Sequence, residues 1–141
     1  MTGPAFAIAL FSLCLFSSAS HAGDTTVGQK EFNKCKSCHS IIAADGTLVV
    51  KGGKVGPNLY GVIGRKAGSF AGFTYGASLV AAGEMGLIWD EAQLATYIQN
   101  PGEFLKTYLG DDGAKAKMTF KLAARAEDVA AYLASVAPPA P

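Results

Sequence analysis

Cysteine and histidine are scarce in this chain, with three Cys and two His among 141 residues. A zinc knuckle needs about four ligands, and no second Cys pair exists to complete one. No strand-turn-helix setting of a βαβ unit surrounds the one close pair, which sets aside a thioredoxin-like redox site. Long apolar runs are equally few. Phe6 to Phe16 is the one sustained stretch, and it is too short to span a bilayer comfortably. A bias of charge is missing too, since 12 Lys and Arg stand against 11 Asp and Glu. A near-neutral exported chain argues against nucleic acid as a partner. There are no internal repeats and no convincing alternating strands.

The apolar run reads as part of a leader. Small residues follow it and end in Ser20-His21-Ala22, which fits signal-peptidase cleavage before Gly23. The segment Met1-Thr2-Gly3-Pro4 carries no Lys or Arg, so only the free amine supplies its positive charge. An uncleaved membrane anchor is the competing account, and the short run weighs against it. The expectation is a signal peptide over 1–22 and one domain over 23–141, located in the periplasm. Cys14 and His21 leave with the leader. The mature chain then keeps two cysteines and one histidine, all in one motif.

That motif is Cys35-Lys36-Ser37-Cys38-His39. Two thiols three positions apart, followed at once by an imidazole, are the attachment signature of c-type haem. Each thiol adds across one haem vinyl group to form a thioether. On a helical turn the spacing puts both sulfurs on one face, with the imidazole next to reach the iron. A structural disulfide would leave the following His unexplained. Outside the cytosol exposed thiol pairs are otherwise oxidised, so covalent haem suits an exported chain.

Along the mature chain, Asp24 with Thr25 or Thr26 caps a helix leading through Gly28, Phe32 and Cys35. From Ile41 to about Lys54 the Gly-rich pattern reads as a loop. Gly56-Pro57-Asn58-Leu59-Tyr60-Gly61 is rigid turn chemistry, and Tyr75 to Ala82 is a candidate short helix. Asp90 caps a helix whose apolar face is Leu94, Tyr97 and Ile98. Asn100-Pro101 stops it, and Pro101 is placed to start a further short turn. Leu109 to Lys117 is a polar loop. Val129, Tyr132, Leu133 and Val136 fall at i, i+3, i+4 and i+7, a helix ended by Pro138-Pro139. The class is all-α, about four to five helices joined by long loops. Such loops count against a compact domain unless something large and apolar fills its centre, and a haem does.

An electron-carrying haem needs a second axial ligand, and a thioether favours the ferrous state. With the mature histidine used, Met85 and Met118 remain. Met85 lies in a Gly-rich stretch and reads as partly buried filler. Met118, between a flexible loop and Phe120, is the favoured ligand.

These residues together resemble the class I c-type cytochromes, most closely the bacterial cytochrome c2 subgroup. The resemblance runs from Gly28 to about Val136. Its markers, in order, are Cys35-Lys36-Ser37-Cys38-His39, Gly56-Pro57-Asn58-Leu59, Gly64-Arg65, Phe73-Thr74-Tyr75, Trp89, Asn100-Pro101 and Lys117-Met118-Thr119-Phe120. It implies the cytochrome c fold around one covalent haem c, with His39 and Met118 as axial ligands. It also implies that the Pro57 carbonyl accepts the other ring N–H of His39. Arg65, Tyr75 and Trp89 would satisfy the haem propionates, and Tyr97 would direct its hydroxyl towards the Met118 sulfur. Gly28 and Phe32 would meet Tyr132 and Leu133 where the first and last helices cross. Ala116 departs from the many relatives that have Thr there, and the propionate hydrogen bond of that Thr is absent.

The resemblance implies a periplasmic one-electron shuttle rather than an enzyme. Its donor would be a cytochrome bc1 complex and its acceptor a photosynthetic reaction centre. Terminal oxidases or nitrogen-oxide reductases of respiration are the alternative acceptors. A haem enzyme or gas-binding protein would need an open iron site, and no spare His exists to serve it. Basic residues gather in two groups, Lys30 to Lys66 and Lys106 to Lys121, while Glu84, Asp90 and Glu91 lie elsewhere. Docking through the haem edge is expected near Lys34, Lys54, Lys115, Lys117 and Lys121, steered towards acidic partners. A shuttle of this kind is expected to work as a monomer.

Overall fold

A computed structural model describes residues 23–137. The leader and the closing Pro138-Pro139 lie outside them. Among the described residues five α-helices carry the fold: α1 Thr25–Glu31, α2 Ala77–Glu84, α3 Glu91–Gln99, α4 Pro101–Leu109 and α5 Ala126–Ser135. A single turn of 3-10 helix, Phe32–Lys34, continues α1 into the cysteine motif. None of these helices is long and apolar enough to cross a membrane.

The first helix starts where expected, at Asp24. Its carboxylate accepts from the N–H groups of Thr26 and Val27 at 2.8 and 3.1 Å, filling two of the orphan donors of the first turn. The helix then crosses α5 at close range. A Cβ on Gly28 would stand 1.9 Å from the Asp128 carbonyl oxygen and 2.8 Å from the Tyr132 Cβ, so only glycine lets the two backbones meet. Phe32 and Tyr132 close the crossing with ring centroids 5.8 Å apart. Both are buried.

Two expectations are corrected. The stretch from Ile41, read as a loop, contains an antiparallel hairpin, β1 Ile41–Ile42 with β2 Leu48–Val50. Its turn is held by Asp45, whose Oδ1 accepts from the Thr47 N–H at 2.9 Å, and by Gly46 at φ 86, a conformation glycine adopts freely. The strands are too short for alternation to register. Pro101 opens a nine-residue helix rather than a short turn. Asn100 explains the change, because it ends α3 and its side chain caps α4 through the Glu103 N–H at 3.4 Å. Gly110, at φ 62, terminates α4.

The core runs between the α1–α5 crossing and α3. Phe32, Leu94, Tyr97, Ile98, Leu105, Val129 and Leu133 are its larger members. Long connections before α2 and after α4 wrap the remaining side. Between them lies a cavity.

Candidate functional site

The cavity encloses about 450 Å³, within the range of small-ligand sites. Its walls bring together all nine residues expected to hold a cofactor: Cys35, Cys38, His39, Pro57, Arg65, Tyr75, Trp89, Tyr97 and Met118. Apolar side chains from several separate segments complete it, including Leu59, Val62, Leu79, Leu94, Ile98 and Leu133.

Cys35 and Cys38 are half-buried and are not joined to each other in a disulfide. Backbone bonds from the Cys38 and His39 N–H groups to the Cys35 carbonyl, at 3.1 and 2.9 Å, coil the motif into one turn. Burial pushes the Cys35 thiol up to about 11; Cys38 and Glu31 add to the rise, and Lys34 opposes it. A redox-active thiol is shifted the other way, to stay a thiolate.

His39 is held by a rigid second partner. Its Nδ1–H donates to the Pro57 carbonyl at 2.8 Å. A carbonyl only accepts, so the tautomer is fixed and Nε2 keeps the lone pair that a metal takes. Burial lowers the ring's pKa, which keeps it neutral, although the Pro57 bond opposes the shift. Gly56 passes beside the ring so closely that a Cβ there would lie 2.2 Å from Cε1. Of the two candidate methionines, Met118 lines the cavity. Met85 caps α2, is 63% exposed and does not.

Arg65 serves the protein as well as the cavity. It donates from Nη1 to the Asn58 carbonyl at 3.0 Å and from Nη2 to the Tyr60 carbonyl. Its guanidinium carbon stands 4.8 Å from the Phe70 ring centre. Trp89 and Tyr97 pack at 5.0 Å and Phe104 joins both. Tyr97 and Met118 both line the cavity. Burial pushes the Tyr97 hydroxyl up to about 12, with Tyr75 adding to it.

The five expected docking lysines are all exposed, but their surroundings differ. Lys34 and Lys117 line the cavity, as does Lys66. Lys34 pairs with Glu31 at 2.6 Å, and Lys117 Nζ donates to the Thr74 carbonyl at 2.8 Å. Lys54 and Lys121 neighbour Val55 and Phe120, two lining residues that are 76% and 41% exposed. Lys115 follows two residues before Lys117, its N–H held by the Ser78 hydroxyl at 3.0 Å.

Sequence reasoning missed Asn58 as a builder of the site. Its amide brackets Ile42, accepting from the N–H at 2.9 Å and donating to the carbonyl at 2.7 Å. It thereby ties the Pro57 turn to the hairpin behind His39. An Asn inside a Gly-Pro turn was the available signal.

The residues present suit a c-type haem. They offer two thiols on one turn, an imidazole with a fixed free nitrogen, a thioether from a distant segment and apolar walls with a guanidinium at one side. No protein-family model matches the chain. It is 62% identical over 115 residues to cytochrome c2 of Rhodobacter capsulatus, covering 82% of this chain and 84% of that protein. It is 57% identical over 114 residues to cytochrome c-551 of Roseobacter denitrificans, 81% of each chain. The solved structure of the Rhodobacter capsulatus cytochrome c2 superposes with a TM-score of 0.80 at 61% identity, covering 81% of this chain and 98% of that one.

Proposed function

The chain belongs to the bacterial class I c-type cytochromes, the family of cytochromes c2 and c-550, and we propose that it shuttles single electrons through the periplasm from a cytochrome bc1 complex to a photosynthetic reaction centre. Membership establishes the coarser facts, one covalent haem c and the role of electron carrier. When bound, the haem supplies a one-electron couple between ferrous and ferric iron.

The chain's own residues do the rest. Cys35 and Cys38 would form the thioethers, and His39 Nε2 and the Met118 sulfur would hold the iron. The Pro57 carbonyl orients His39 and strengthens its donation. Apolar walls exclude water. Arg65, Tyr75 and Trp89 would meet the charge of the propionates, and Tyr97 would close the Met118 side. With His39 and Met118 both committed to the iron, a substrate would have no open position there, so no residue is assigned a catalytic role. The exposed Val55 and Phe120 among lysines suit a small, transient contact governed by charge. The working form is the monomer over 23–141, with the leader removed before Gly23.

The observation that carries this reading is the meeting of Cys35, Cys38, His39 and Met118 in one apolar cavity. Its test is the visible spectrum of the reduced protein before and after carbon monoxide. An unchanged low-spin c-type spectrum is expected. A rapid shift would show an open sixth position and end the simple-carrier account. The acceptor is tested by deleting the gene: photosynthetic growth fails and respiratory growth continues. The reverse pattern would assign the protein to terminal oxidases or nitrogen-oxide reductases.

A further inference from the structure

Asp128 is a buried carboxylate that electron carriage does not use. It lies in the first turn of α5 and is 5% exposed. Its Oδ1 accepts from the Asp24 N–H at 2.7 Å, where the chain enters α1. Its Oδ2 is buried and, among the described residues, accepts no hydrogen bond. Arg125 Nη1 stands 3.6 Å from Oδ2 on a largely exposed side chain, an ion-pair separation too long for a hydrogen bond. A buried carboxylate oxygen without a donor is costly, so the site is one group short.

The missing donor has an obvious position. Gly23 directly precedes the amide that holds Oδ1, and it is pressed onto the same turn of α5. A Cβ there would lie 2.2 Å from the Glu127 carbonyl oxygen and 2.9 Å from the Asp128 Cα. Leader cleavage changes what Gly23 offers. Hydrolysis of the Ala22–Gly23 amide by a signal peptidase consumes one water. The hydroxyl goes to the Ala22 carbonyl carbon, and the protons go to the Gly23 nitrogen, leaving a carboxylate and an ammonium. A neutral N–H becomes a cation with three donors.

We propose that the Gly23 α-ammonium released by leader cleavage donates to Asp128 Oδ2, forming a processing-dependent ion pair that clamps the start of α1 to α5. The proposal rests on the exported, cleaved form described above. The charged residues at this junction are Asp24 beside Gly23, Glu127 and Asp128 in the first turn of α5 whose backbone Gly23 touches, and Arg125 at the cap of α5. Three carboxylates outnumber one guanidinium and the partial positive charge of the α5 N-terminus. The local field therefore favours a cation.

The test uses the full chain, expressed with its leader in a bacterium that attaches haem and purified as the holoprotein. Intact mass is expected to show Gly23 as the first residue. NMR titration of its α-amine is expected to give a pKa at least about one unit above the usual range of about 7.7–8.0. Asp128→Asn, which keeps an acceptor for the Asp24 N–H, returns it to that range. Acetylation of the α-amine provides a reading that does not depend on a variant folding. A raised pKa in the folded state stabilises fully below the unfolded value and is lost as pH rises through the folded one. The unmodified protein therefore loses denaturant midpoint above about pH 8, and the acetylated protein does not. An ordinary amine pKa with Gly23 first, or a shift that survives Asp128→Asn, overturns the ion pair and leaves the cleavage site standing. A different first residue overturns both.

Discussion

Gly56 and His39 show how closely the imidazole is confined. The glycine's absent Cβ would lie 2.2 Å from Cε1 and 2.6 Å from Nδ1 of the ring. Gly56→Ala must push the imidazole away from the Pro57 carbonyl. The expected outcome is a loss of about 1–3 kcal/mol of stability in urea denaturation, together with carbon monoxide uptake by the reduced variant. An unchanged midpoint and spectrum would show that the ring has room. Tyr97 allows a second prediction. Its hydroxyl is pushed up to about 12 by burial, from about 10 in an unfolded chain. The folded state thus holds its proton more tightly, so the stabilisation is complete below about pH 10 and fades as pH climbs towards 12. Tyr97→Phe should flatten that part of the stability profile. The Cys-x-x-Cys-His motif is legible at this scale because its geometry is local. The partners of Arg65 were not, since the carbonyls of Asn58 and Tyr60 come within reach only once the turn is folded.

At the scale of elements, caps and periodicity carried most of the information. Asp24, Asp90 and Asn100 each accept from N–H groups of the helix they begin. The apolar repeat through Val129 and Leu133 marks a helix that is buried along most of its length. The hairpin escaped notice because strands of two and three residues leave no period to count. The α1–α5 crossing depends on Gly28, where a methyl group would stand 1.9 Å from the Asp128 carbonyl oxygen. Gly28→Ala raises helix propensity yet should lower stability by about 1–3 kcal/mol, because neither backbone can retreat. Thermal unfolding of the holoprotein checks the sign; a stabilised variant would mean that the crossing is loose.

For the whole molecule, charge placement matters more than net charge. The formal charge is only +1, while lysines gather around a cavity mouth that also exposes Val55 and Phe120. Rates of electron exchange with acidic partners should fall as ionic strength rises past about 0.1 M, where the screening length is about 10 Å. Lys54→Glu and Lys121→Glu should each slow the exchange at low salt and lose that effect at high salt. Glutamate at Lys30, away from the cavity lining, serves as the control. Rates indifferent to salt would remove the lysine surface from the docking account.

The sequence by itself determined the cofactor chemistry, the starts of α1 and α3 and the final amphipathic helix, because each depends on residues within a turn or two of one another. It also favoured Met118 over Met85 as the second ligand. The tertiary structure decided what distance along the chain conceals: that Met118 shares a cavity with His39 while Met85 does not, that Asn58 braces the hairpin behind the imidazole, and that Asp128 is buried against the start of α1 with one oxygen bonded to the Asp24 N–H and the other without a donor among the described residues. Such contacts join segments remote in sequence, and they exist only once burial has brought those segments together.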